Sequence, residues 1–253
     1  MHRHVIVPLV VLVAGALTAG GSVRAQTPSL PTAAELVKRH VAAIGGESAF
    51  RSIKSLHEVG TVEIPGQNIS GTFEVFQARP DKMFQRLNVA SYGEIQEGYD
   101  GKVGWRLDPQ SGPAVLEGRE LTEMTQDALF DSPLFPASEY RELTTVEETQ
   151  FEKHVAYKVK ALFTSGLEEA IYFDADSGLQ IGWEGSRATP NGVLPTRARI
   201  DAYMKCGPTV RLPSSVTNRQ LGVDQTVKLT SCEINDAPSK TFDLPKPIKA
   251  LVK

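Results

Sequence analysis

The sequence predicts a mainly β protein built on one strongly curved antiparallel sheet, with a few helices covering its concave face. Three observations predict it. The stretch Gly71 to Pro109 (GTFEVFQARPDKMFQRLNVASYGEIQEGYDGKVGWRLDP) holds four short β segments in a row, joined by turns at Arg79-Pro80-Asp81, Ser91-Tyr92-Gly93 and Asp100-Gly101. A second series of alternating segments fills Arg141 to Asn235. Between the two, the hydrophobic period changes to helical over Gly118–Phe130. The total is about twelve strands, and an antiparallel sheet of that length curls under its own twist.

The elements follow in order. Met1–Ala25 reads as a cleavable signal peptide: a weakly basic start at Arg3, an apolar run from Val5 to Ala19 too short for a comfortable membrane span, and Val23-Arg24-Ala25 with small residues at the two positions a signal peptidase reads. Residues 26–31 form a flexible leader. Pro31-Thr32 opens a helix whose apolar stripe is Ala33, Leu36, Val37, His40, Val41 and Ile44, stopped by Gly45-Gly46. Glu47–Ile53 adds a further helical turn or two. The first strand is Leu56–Ile64, ended by Pro65-Gly66. Ile69, Gly71, Phe73 and Val75 then alternate on one face. Met83, Gln85, Leu87 and Val89 repeat this, and so do Val103, Trp105 and Leu107, which are expected to look inward with Phe73 and Val75.

Leu121, Met124, Ala128 and Leu129 stand at helical spacing, followed by the breaker Asp131-Ser132-Pro133 and the apolar cluster Leu134-Phe135-Pro136. This helix has no second sheet to cover, so it must fold back across a face of the first. Later strands are expected at Arg141–Thr149, His154–Phe163, Leu167–Phe173, Leu179–Ser186, Leu194–Tyr203, Val210–Arg219 and Gln225–Asn235. Asp174–Gly178 is a hairpin turn and Phe242-Asp-Leu-Pro245 a terminal apolar clip. One domain spans 32–244, and 245–253 is a loose basic tail.

Composition excludes several classes. The 253 residues are 41% hydrophobic and 23% charged, with a net charge of −3. Removing Arg3 and Arg24 with the leader leaves 25 basic against 30 acidic residues, a net −5. A mildly acidic chain suits neither nucleic acid nor an anionic membrane surface. Metalloprotease, nucleophile-elbow, phosphate-loop and dinucleotide motifs are absent. His40, His57 and His154 lack metal-ligand spacing. Residue chemistry therefore gives no catalytic residue, no metal and no cofactor. The cysteines, Cys206 and Cys232, are either bridged or two small buried residues. A simple hairpin register about Leu221–Asp224 sets Cys232 nearer Leu212 than Cys206.

Taken together, the motifs resemble the periplasmic lipoprotein-carrier family of LolA and LolB (outer membrane lipoprotein-sorting proteins). The pattern is a strand (Gly71–Gln77), Arg79-Pro80, an aromatic-containing strand (Lys82–Asn88), Asp100-Gly101, Trp105, Asp108-Pro109 and a Pro-ended helix (Leu121–Pro133). Tyr172–Leu179 and Phe242–Pro245 match the family's later hairpin and end. The resemblance implies an incomplete β-barrel closed by helices, with a hydrophobic cavity for acyl chains lined by Phe73, Val75, Met83, Trp105, Leu121, Met124, Leu129 and Phe135. It implies for Arg79 the role of holding the helical lid closed. The chain departs from the carriers in its extra N-terminal helix, in Gln77-Ala78 before the arginine and in its two cysteines.

Two readings follow. One is a periplasmic, monomeric chaperone-like carrier that takes up acyl chains of lipoproteins or lipids, exchanges them with inner- or outer-membrane donor and acceptor proteins, and does no covalent chemistry. The other is a regulatory envelope-stress module of the same fold, like the RseB class, which senses lipid or protein ligands without transporting them. An enzyme using the cavity as an active site is a third reading that no residue argues for.

Overall fold

The computed structural model describes residues 29–189, 192–238 and 240–252. The expected signal peptide and residues 26–28 of the leader lie outside them. Thr32 caps α1 (Ala33–Ala43) through a capping box: its side chain accepts the Glu35 N–H, and the Glu35 carboxylate accepts the Thr32 N–H at 2.7 Å. Gly45 and Gly46 turn the chain at φ +115° and +92°, and Gly45 lies so close to the Thr209 carbonyl that no Cβ would fit. The short α2 (Glu47–Arg51) follows.

Among the described residues, thirteen antiparallel strands make one sheet that does not close. They are β1 (Ser55–Ile64), β2 (Ile69–Ala78), β3 (Lys82–Val89), β4 (Gly93–Tyr99), β5 (Gly104–Asp108), β6 (Gly112–Val115), β7 (Tyr140–Phe151), β8 (His154–Phe163), β9 (Glu168–Asp174), β10 (Gln180–Thr189), β11 (Gly192–Cys206), β12 (Val210–Gln220) and β13 (Val223–Ile234). The spatial order is β6-β5-β4-β3-β2-β1-β13-β12-β11-β10-β9-β8-β7. Two meanders therefore meet at one seam, β1 against β13, in which His57 faces Glu233 and Val62 faces Val227. The edges are β6 and β7, and α3 (Gly118–Ala128) leads from one to the other across the concave face. The strand β6 was not expected from the sequence. It has four residues and carries Pro113, which only an edge accepts without losing a ladder bond.

Side-chain parity corrects one expectation. Phe73 pairs with Leu87, and Val75 and Met83 pack with Leu121 and Met124 of α3, so these residues face the concave side. Trp105 does not join them. It lies opposite Gly98, which lies opposite Phe84, and Phe84 in turn opposes Phe76. Rings of His57, Phe76, Phe84 and Trp105 thus run across the convex face, with centroid spacings of 4.1, 6.3 and 6.1 Å. The absent side chain of Gly98 leaves room for the indole, since a Cβ there would stand 2.6 Å from it. Alternation within a strand sets parity only up to the next turn. The Asp100–Val103 turn, in which Asp100 accepts the N–H groups of Lys102 and Val103, resets it.

The C-terminal segment closes over that same face. Lys246–Lys249 is a helix, α4, packed on β6, with Ile248 fully buried. The stretch expected to be a loose tail is docked. The disulfide left open by the sequence is formed, joining Cys206 of β11 to Cys232 of β13 with Cα atoms 5.3 Å apart. The simple register assumed an unbroken β12–β13 ladder. That ladder ends at Ser215–Lys228, next to Pro213, which has no N–H to give, and Cys232 reaches past β12 to β11. Among the described residues no helix is long and apolar enough to cross a membrane.

Candidate functional site

The interior of the curled sheet is the candidate site, and α3 divides it. One flank of α3 is apolar: Leu121, Met124 and Ala128 pack on Val75, Met83, Tyr99 and Leu116. Gly104 of β5 allows the close approach, because a Cβ there would meet Leu121 at 2.8 Å. The other flank is polar and bonds β10. Glu123 accepts the Ala188 N–H at 2.9 and 3.1 Å and pairs with Arg119 at 2.7 Å. Arg119 donates to the Ser186 carbonyl and hydroxyl at 3.0 and 2.9 Å. Arg187 reaches Asp127 at 3.2 Å and Glu169 at 3.8 Å. The helix is thus held by packing on one wall and by a polar latch on the other.

After α3 the chain plugs the upper end. Phe130 and Leu134 join the core around Ile44, Phe50 and Leu56. Phe135, at φ +50°, sits among His40, Tyr140 and Phe173, with centroids 5.5, 6.2 and 5.4 Å away. Burial pushes His40 down to about 4, so its Nδ1 accepts the Gln180 N–H at 3.0 Å as a neutral imidazole. Arg79 ties this plug to the N-terminal helices. Its guanidinium donates to the carbonyls of Ile53 (2.6 Å) and Phe50 (3.1 Å) and to Asp131 (2.7 Å), and lies 4.6 Å over the Phe130 ring. The carbonyls it holds belong to α2 and its exit, while its link to the segment after α3 runs through the Asp131 carboxylate.

Between the plug and β8–β12 lies a cavity of about 260 Å³. Leu129 and Phe135 line it as the sequence suggested, together with Tyr140, Glu169, Trp183, Arg187 and Tyr203. Asp127, also on the cavity wall, keeps 48% of its side chain open. Burial raises its pKa despite Arg187. Burial likewise pushes Glu169 to about 7, and Glu58, on the concave side of β1 between Val75 and Cys232, to about 7. Sequence reasoning missed Glu58, Asp127, Glu169, Trp183 and Arg187 as site residues. The one legible signal was Trp183-x-Gly185-x-Arg187, alternate positions on a single strand, which place an aromatic ring and a guanidinium on the same face.

Below α3 the concave face carries a half-open apolar strip, parted from the helix on β3–β5 by the polar row Gln85, Glu97 and Arg106. Ile95, Leu87 and Phe73 lie in register across β4, β3 and β2, and Val227 and Val216 across β13 and β12. Each is only half-buried. The Phe73 ring lies over Gly60, where a Cβ would stand 2.5 Å from it. This strip leads from the hairpin end of the sheet up to the helix.

No family model and no curated protein matches the sequence. Solved structures share the fold. A LolA superfamily protein from Nitrosomonas europaea matches with a TM-score of 0.57 at 13% identity, over 85% of this chain and 99% of that one. A DUF1329 family protein from Desulfovibrio piger gives 0.55 at 10% identity, over 83% and 96%. An outer membrane lipoprotein-sorting protein domain from Vibrio parahaemolyticus, described as putative, gives 0.51 at 8% identity, over 82% and 97%.

Proposed function

We propose that this chain, which has the fold of LolA superfamily proteins, is an exported periplasmic binding protein that takes up acyl chains of lipids or lipoproteins and carries them toward the outer membrane without covalent chemistry. The observation that carries the reading is the inward-facing, half-buried apolar strip of Phe73, Leu87, Ile95, Val216 and Val227 leading up to a helix latched across the groove. The cavity between plug and sheet, about 260 Å³, is below the ~300–1,000 Å³ of typical small-molecule sites, so an acyl chain needs more room there than this conformation offers. Each methylene moved from water onto the strip contributes about 0.8 kcal/mol, so a long chain offsets the contacts that α3 gives up when it swings away.

Arg79 favours the closed state by tying Phe50, Ile53 and Asp131 together. The test is retention of a fluorescent fatty-acyl probe in the presence of acceptor membranes. Wild type is expected to bind and release it. Leu87→Asp should weaken binding at least tenfold, while Arg79→Leu should bind at least as tightly and release poorly. Equal binding and release in wild type and Arg79→Leu would reduce Arg79 to a turn residue and remove the carrier mechanism. No probe binding by wild type would overturn the acyl-chain reading and favour a module that recognises protein.

A further inference from the structure

At the top of the β1–β13 seam, on the convex face and away from the groove, His57 meets two carboxylates from the far end of the chain, Glu233 and Asp236. His57 of β1 faces Glu233 of β13 directly across the ladder. Asn235 then takes a left-handed conformation, φ +61°, and returns Asp236 to the same spot. That return is anchored from outside the cluster. Asn235 Oδ1 accepts the Lys54 N–H at 2.7 Å, the Asn235 N–H donates to the Ser55 carbonyl at 2.8 Å, and the Ala237 N–H donates to Ser55 Oγ at 3.3 Å. One atom each from His57, Glu233 and Asp236 lies within 4.8 Å of the others.

The imidazole is set up as a ligand. Its Nε2 is committed to Glu74 at 2.8 Å, and Glu74 is itself held by Arg86. Its ring is stacked on Phe76 at 4.1 Å, which fixes its plane. With Nε2 donating to a carboxylate, Nδ1 carries the lone pair. Nδ1 is fully enclosed and has no hydrogen-bond partner, and the nearest carboxylate oxygen, on Asp236, is 3.7 Å away, beyond hydrogen-bond range. A carboxylate behind the imidazole, two carboxylates in front and an unused buried nitrogen aimed at them form the arrangement by which proteins orient a histidine toward a metal.

We propose that His57 Nδ1, Glu233 and Asp236 bind a divalent transition-metal ion of the zinc class, with water in the remaining position. Imidazole selects such ions over calcium and magnesium, which take all-oxygen sets. Zinc–ligand distances of about 2.0–2.2 Å need the carboxylates to draw in by roughly an ångström, and both are exposed side chains free to do so. The ion clips the exit of the last strand to the first, across the seam between the two meanders.

The experiment is calorimetric titration of the purified, chelator-stripped protein with Zn²⁺, alongside melting curves with and without the ion. The variants are Glu233→Gln and Asp236→Asn, which alter exposed groups, and His57→Gln. Expected are one Zn²⁺ per chain, a rise in Tm on loading, and a loss of affinity of at least tenfold in each variant, with Ca²⁺ giving no heat. Absence of stoichiometric binding overturns the proposal. So does an affinity that the Glu233 and Asp236 variants leave unchanged, which would place the metal elsewhere, for example at His154, exposed beside the buried Asp174.

Discussion

Glu58 and Glu169 hold protons near neutrality because burial makes their charged forms costly. For Glu58 the sign follows from linkage. Its folded pKa of about 7 exceeds the ordinary 4.5, so between those values the native state keeps a proton that the unfolded chain has released. Stability therefore falls as pH rises through that window, and the penalty is complete above it. Glu58→Gln is expected to raise Tm at pH 8 by several degrees, on the order of 1–3 kcal/mol, and to have no effect at pH 4. A difference independent of pH in melting curves would refute the assignment. The same residue was silent in the sequence, where it reads as one more polar position in a strand. Phe73, Val75 and Met83 were legible because alternation fixes neighbours on one strand. Trp105 was not, because its side depends on the length of a turn two strands from Phe84.

Helix α3 illustrates the same division among elements. Its existence, its apolar stripe and its return across a sheet face follow from a change of period and from the lack of any second sheet. Its other flank could not be read, because the partners Ser186, Arg187 and Ala188 are some sixty residues later and three of the bonds are to backbone. That latch predicts a local softness. Arg119→Met, which removes the Ser186 bonds and the partner of Glu123, is expected to speed amide hydrogen exchange in 118–128 at least tenfold while leaving β1 and β13 unchanged. Equal acceleration across the sheet would show that Arg119 supports the fold as a whole rather than the position of the helix.

The whole molecule was legible as a long antiparallel sheet curled around helices, since turns and alternation are local signals. Its strand order was not, because the pairing of first with last strand leaves no local trace. The Cys206–Cys232 bridge reinforces the sheet beside that pairing, spanning 26 residues. Removing it with Cys206→Ala/Cys232→Ala is expected to cost about 3 kcal/mol in denaturant unfolding. Unreduced, denatured wild type should take up no thiol label, and two labels per chain would contradict the bridge. The seam itself carries a further consequence, for assembly in time. Strands β1 to β6 can zip together as soon as they are made, but β1 pairs with residues 226–234 and must wait for nearly the entire chain. Until then its outer rim is an unpaired template in a half-built sheet. The vulnerable species is thus the N-terminal meander, and agents that shield a bare strand during synthesis should raise the yield of this protein more than agents that act after the last strand is in place.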